Sequence, residues 1–358
     1  MKKFDRLIAW SVQEGFSDLH ITGGHPIVYR KHGVIRFEKT EAWSHDEVDT
    51  LVSLLLNQRQ LQTLRNRLSV DFAVSVSHVR VRVNVFNTTR GLSMAVRVLP
   101  GSAPSISGLN LHPSIQSICQ VKAGLVLICG STGSGKSATI AAMIEEINRN
   151  SAMHIVTLED PIEYRFVSKK SFVEQRELGE HIVSIEQGLL DVLREDPDVI
   201  VVGELRDPET IRLALNAAES GHLVIATLHG SNSEEALYRI FNSFPPIAQE
   251  SVRTQLASTL TWLVVQRLDY LHRAGFRVPY LSILKGTPAI KSLIRDNKLA
   301  QIENAMQTGR GDGMFTMSAY AKDHIDRLTS FCSPSDIFRP SFEATPEPVY
   351  RSILLNTD

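Results

Sequence analysis

From Val79 to Val85 the chain alternates strictly, with Val79, Val81, Val83 and Val85 on one side and Arg80, Arg82 and Asn84 on the other. A period of two predicts a strand with one face in a core and the other toward solvent. The alternation sits inside a β-rich stretch, residues 70–98. Upstream, residues 4–13 carry helical spacing, while 18–21 and 27–37 read as strands. Ser44, with Glu47 three residues on, forms a capping box that predicts the start of a long amphipathic helix. Residues 1–100 therefore read as a small α+β domain, and 101–108, rich in Pro, Gly and Ser, as a linker.

After the linker the pattern changes. Short unbroken apolar runs at 125–129, 155–158, 199–202 and 223–227 are separated by helical segments. Such runs suit strands of a parallel sheet covered on both faces, so 109–285 reads as an α/β domain. Residues 286–358 read as a helical region ending in a loose tail with Pro340, Pro346 and Pro348. Within it, Ile290, Leu293 and Ile294 fall at i, i+3 and i+4, leaving Lys291, Ser292, Arg295 and Asp296 to face outward.

At 358 residues the chain exceeds the size of one ordinary core, and two domains are expected. Lys and Arg number 38 against 39 Asp and Glu, which does not support unspecific nucleic-acid binding. No apolar stretch approaches the ~20 residues of a membrane span. Gln13, Glu14 and Ser17 interrupt any signal-peptide core. Cys119, Cys129 and Cys332 form no C-x-x-C pair, so disulfides and a zinc module are not expected. The expected setting is the cytosol, with membrane association only through partners.

The chemistry is concentrated at Gly130-Ser-Thr-Gly-Ser-Gly-Lys-Ser137, between an apolar run and a helical segment with Ile140, Met143, Ile144 and Ile147. This is a complete phosphate-binding loop in the strand–loop–helix context that the motif needs. The expected nucleotide-binding residues are Ser131, Thr132, Gly133, Ser134, Gly135, Lys136, Ser137 and Ala138. Glycines let the loop N–H groups and the helix N-terminus point at the anion. Lys136 reaches the β- and γ-phosphates, and Ser137 offers its hydroxyl to Mg²⁺. An ordinary Gly/Ser turn needs neither residue in register.

Asp198 to Glu204 is an apolar strand ending in a carboxylate. Either Glu204 is a Walker B acid that polarises water or holds the Mg²⁺ shell, or it is an incidental acid at a strand end. Glu159, Asp160 and Glu163 follow another strand, where carboxylates face the ligand crevice of such a sheet. His229, two residues past Thr227, is placed to sense the γ-phosphate or is structural. Arg80, Arg82, Arg90 and Arg97 crowd the end of the first domain. They line a solvated strand face, or they act as arginine fingers delivered by domain closure or by a neighbouring subunit.

Together these elements resemble the secretion ATPases of type II secretion and type IV pili, from Ser17 to about residue 320. Thr157-Leu-Glu-Asp-Pro-Ile-Glu163 is similar to the family's Asp box, residues 193–207 to its Walker B segment and 221–229 to its His box. Residues 80–84, with Arg97, are similar to its inter-subunit arginine stretch. Residues 286–296, with 307–309 and 313–317, are similar to the segment that PilT-type retraction ATPases need, and the four-cysteine module of extension-type relatives is missing.

The resemblance implies a PAS-like α+β N-terminal domain followed by a RecA-like P-loop ATPase domain, assembled as a hexameric ring. It implies Glu163 as general base, Glu204 as Walker B acid holding Mg²⁺ partly through water, His222 and His229 as His-box residues, and Arg82 and Arg97 as fingers. ATP is the implied substrate, Mg²⁺ the cofactor, an inner-membrane platform protein the direct partner and the pilin machinery an indirect one, with no nucleic acid. The implied function is pilus retraction and twitching motility at the cytoplasmic face of the inner membrane. Departures at Ala138 and at residues 179–182, 230–233 and 278–284 keep open an accessory retraction ATPase, or a conjugation or type IVB secretion ATPase. A nucleic-acid-dependent ATPase is a more distant alternative.

Overall fold

Val81, Val83 and Val85 are fully buried, while Arg80, Arg82 and Asn84 are half-buried on the opposite side of their strand. The computed structural model describes residues 1–31, 34–76, 79–99 and 101–333; Pro100 and the expected tail lie outside them. The chain forms two compact units, divided at Ser102.

The first unit runs α1 (Lys2–Glu14), β1 (Asp18–Thr22), β2 (His25–Lys31), β3 (Val34–Trp43), α2 (His45–Leu55), α3 (Gln58–Arg67), β4 (Ser69–Val76), β5 (Val79–Thr88) and β6 (Gly91–Val98). Its six strands form one antiparallel sheet in the order β3-β2-β1-β6-β5-β4. Phe4, Ile8, Leu51 and Val52 from the helices meet Leu19, Ile21, Val83 and Val96 of the strands in a single core. The capping box is present: Glu47 N donates to Ser44 Oγ at 3.1 Å and Ser44 N to Glu47 Oε2 at 2.8 Å. The single long helix expected from it is two helices. Leu56 is extended, and Asn57 with Gln60 builds a second capping box that starts α3 afresh.

The second unit begins at Ala103, and Ile106 already lies in its core. It continues through α4 (Ser114–Ile118), β7 (Gly124–Cys129), α5 (Lys136–Asn150), β8 (His154–Glu159), β9 (Phe172–Glu177), α6 (Ile185–Val192), β10 (Val199–Val202) and α7 (Pro208–Glu219). There follow β11 (Leu223–Leu228), α8 (Ser233–Asn242), α9 (Pro246–Thr259), β12 (Leu260–Leu271), β13 (Phe276–Lys285), α10 (Pro288–Arg295), α11 (Ile302–Thr308) and α12 (Met317–Asp323). The seven-stranded sheet has the order β13-β12-β7-β11-β10-β8-β9. It is parallel except for β13, which folds back on β12 because residues 272–275 leave room for a turn and not for a crossover helix. Every residue of β7, β10 and β11 is buried, which accounts for the unbroken apolar runs. The segment after Pro288 is no separate layer. Ile290, Ile294, Leu299, Ile302 and Met306 share a core with Leu263 of β12. Among the described residues no helix is long and apolar enough to cross a membrane.

Candidate functional site

The chain must turn immediately after β7, and glycine is required where it does. At Gly130, φ is +151°, and an added Cβ would lie 2.4 Å from the Gln266 carbonyl oxygen and 2.5 Å from Ser134 Oγ. Gly135 caps α5 at φ +88°, and a Cβ there would meet Gln266 Nε2 at 2.8 Å. Gln266, buried on β12, holds this loop from beneath. Its Nε2 donates to Ser134 O at 2.8 Å, and its Oε1 accepts from Thr139 Oγ1 at 2.7 Å. In the sequence Gln266 is marked only as the polar residue that closes the apolar run 263–265.

The α5 N-terminus has no side-chain cap. Its first-turn N–H groups therefore lack an intrahelical acceptor, and with the helix dipole they favour an anion. Ser131, Thr132, Gly133 and Ser137 are exposed around it, Ala138 is half-buried, and Ser134 is buried with its Oγ unpartnered. Lys136 folds into the loop, donating to Gly130 O at 2.8 Å and Ser131 O at 3.0 Å. Burial pushes its pKa down, opposed by the nearby Glu204 and Cys129. A Cβ-free cradle, uncapped N–H groups and an ammonium together fit a polyphosphate. For Mg²⁺ the chain offers the Ser137 hydroxyl and the Glu204 carboxylate, a donor set suited to an ion that keeps water and phosphate oxygens. Among the described residues no group of three or more His, Cys, Asp or Glu could hold a metal by itself.

Three neighbouring strands bring the remaining groups side by side. β10 pairs in parallel with β8 on one side and β11 on the other, so the segments just past their carboxyl ends lie together. Glu204 Oε1 is 2.9 Å from His229 Nε2, its Oε2 accepts from Arg206 Nε at 2.7 Å, and Arg206 Nη1 is 3.6 Å from Asp160 Oδ2. Thr227 Oγ1 donates to Gly203 O, and Leu205 N to Thr227 O at 3.0 Å, tying the β10 and β11 ends together. Arg206 and Asp160 thus join Glu204 and His229 in one chain of polar contacts. His222 does not join them. It precedes β11, with Nδ1 3.0 Å from both Ala217 O and Ser220 Oγ, about 20 Å from His229 at the rise of an extended strand. Only one of the two expected His-box residues lies at this end of the sheet.

Glu163 is half-buried beside Glu159, which ends β8. Glu159 accepts from Thr157 Oγ1 at 2.7 Å and Gln175 Nε2 at 2.9 Å. Burial pushes its pKa up to about 7; the two hydrogen bonds oppose this, and Glu163 and Glu177 add to it. Between the ordinary value of 4.5 and about 7, the folded chain keeps a proton that the unfolded chain releases. Glu159's contribution is therefore full below that window, falls through it as pH rises, and is gone above it, a loss of about 3 kcal/mol. Glu159→Gln, which keeps an acceptor, should raise the thermal midpoint of the nucleotide-free protein by several degrees at pH 8. At pH 5 it should change the midpoint little. Equal shifts at both pH values would contradict the assignment.

Arg82 and Arg97 belong to the first unit and face each other across β5 and β6. Arg90 sits in the turn between these strands, at the far end of the pairing.

Residues 2–273 match the family described as Type II/IV secretion system protein. The chain is 45% identical over 289 residues to a twitching motility protein of Neisseria gonorrhoeae, covering 80% of this chain and 77% of that one. It is 41% identical over 315 residues to the uncharacterized protein YggR of Escherichia coli, covering 87% and 95%. The solved structure of the pilus retraction motor PilT with bound ADP superposes with a TM-score of 0.79 at 39% identity, covering 89% of this chain and 96% of that one.

Proposed function

The chain belongs to the type II/IV secretion system protein family, as an ATPase with a PilT-like fold, and from that premise we propose that it drives pilus retraction. The observation that carries the proposal is the likeness to a twitching motility protein and to a retraction motor over most of the chain. In this reading six copies form a ring at the cytoplasmic face of the inner membrane, bound to a membrane platform protein, and ATP hydrolysis is coupled to pilin disassembly. The first unit is the PAS-like domain and the second the RecA-like ATPase domain.

The loop residues 131–138 bind the phosphates, with Lys136 leaving its two carbonyl acceptors for phosphate oxygens. Ser137 and, partly through water, Glu204 would hold Mg²⁺, which when bound would supply positive charge against the phosphoryl oxygens. Glu204 orients the attacking water, while His229 and Arg206 fix its carboxylate. Glu163 accepts the water's proton, His229 reports the γ-phosphate, and Arg82 and Arg97 reach the phosphates of a neighbouring subunit.

The coupling surface is α10. Thr287 caps it, Pro288 begins it, and Ile290 and Ile294 are fully buried. Ser292, Arg295 and Asp296 are exposed as expected, but Lys291 is not outward-facing. Its Nζ donates to Ser258 O at 2.8 Å, near the end of α9, where a cation also meets the helix dipole. Replacing Lys291 would disturb packing. Ser292→Ala with Arg295→Ala should instead keep basal ATPase within about twofold, since surface changes of this kind leave folding nearly unaltered. Cells carrying that pair should keep surface pili and lose twitching movement. Unchanged movement would remove α10 from the coupling.

A further inference from the structure

Arg82 and Arg97 stand directly opposite each other on β5 and β6, on the sheet face turned away from the helices. Like charges directly across a strand pair are destabilising, so two guanidinium groups at these positions need counter-charges. Asp18 and Asp71 supply them, in unlike ways. Asp18 lies opposite Arg97 on β1 and receives Arg97 Nε alone, at 2.9 Å. Ser17 Oγ donates to the second Asp18 oxygen at 2.8 Å and fixes the carboxylate. The terminal nitrogens of Arg97 make no hydrogen bond among the described residues, and its side chain is 63% exposed. Asp71 instead takes both Nε and Nη2 of Arg82 on Oδ2, at 3.0 and 2.5 Å, and Arg82 is only 34% exposed. The four charged groups and Asn84 border one pocket of about 170 Å³.

We propose that the two carboxylates are positioning residues acting in opposite directions: Asp18 holds Arg97 ready with its terminal nitrogens outward, and Asp71 latches Arg82. This rests on the reading of both arginines as fingers. The Nε–Nη2 edge of a guanidinium grips one bidentate anion at a time, so Asp71 and a phosphate compete for that edge of Arg82. Arg97 needs no such exchange, because its bond to Asp18 leaves the Nη1–Nη2 edge clear. The plainer account is that both aspartates merely neutralise the sheet face.

Steady-state ATPase and thermal midpoints of the full-length chain separate the two accounts. Asp71→Asn, which replaces the guanidinium's carboxylate partner with a neutral amide oxygen, should raise kcat about fivefold. The same exchange at Asp18 should lower kcat about fivefold with KM for ATP little changed. In an Arg82→Ala background, Asp71→Asn should have no further effect on kcat. If both aspartate variants lower kcat, or neither moves it while the midpoints fall, the plainer account holds and the latch is overturned. A rise in kcat that persists without Arg82 overturns it as well. Asp71→Ser gives the same reading should Asp71→Asn fail to fold. If Arg82→Ala and Arg97→Ala themselves keep full turnover, the finger reading fails and the latch falls with it; if they lose turnover, only the aspartate variants decide.

Discussion

Glu204→Gln is expected to bind ATP about as tightly as the parent chain and to hydrolyse it at least ~100-fold more slowly, the scale of losing one positioned catalytic group. The substitution keeps the side chain's length and one acceptor oxygen, so the contacts to His229 Nε2 at 2.9 Å and Arg206 Nε at 2.7 Å can persist in part. What it removes is the negative charge beside the phosphate loop. Lys136→Ala should fail one step earlier and lose nucleotide binding, because it removes the ammonium that donates to the loop carbonyls of Gly130 and Ser131. Filter binding of labelled ATP, with single-turnover hydrolysis, separates the two lesions. Unchanged turnover in Glu204→Gln would remove it from the chemistry.

Arg82→Ala and Arg97→Ala are expected to cut turnover by roughly 10³-fold, the lower end of what arginine fingers supply. Neither residue belongs to the unit that carries the loop, so as fingers they would have to be delivered to it. If delivery is from a neighbouring copy, mixing Arg82→Ala subunits with Lys136→Ala subunits should restore part of the activity. Each lesion then falls in a different composite site, and some sites contain neither. Mixed rings that stay inactive while each variant assembles would place the arginines in cis or outside the reaction.

The phosphate loop was legible in the sequence because its chemistry confines the needed residue types to eight consecutive positions between an apolar run and a helix. The valine alternation was legible for a similar reason, since one strand reports its own burial. What lay beyond reach depends on pairing between distant segments. Gln266 meets Ser134 across 132 residues, and nothing local to either marks the contact. That Asp71 grips Arg82 depends on how β4 and β5 pair, and that Arg82 opposes Arg97 depends on the β5–β6 register, neither of which a single strand reveals. His222 and His229 looked like one motif, yet an extended strand between them carries them to opposite ends of the sheet. The outward direction read for Lys291 from helical spacing was right for an isolated helix and wrong beside α9, whose last turn captures the ammonium.

In the proposed function, hydrolysis at the Glu204 site powers the withdrawal of pili. Introducing Glu204→Gln into the chain at its own locus, then counting surface pili and tracking cell movement, tests this. Retained or increased pili on cells that no longer move is the predicted result. Loss of pili would make the chain an assembly motor, and normal pili with normal movement would place its work in secretion or conjugation; either would contradict the claim.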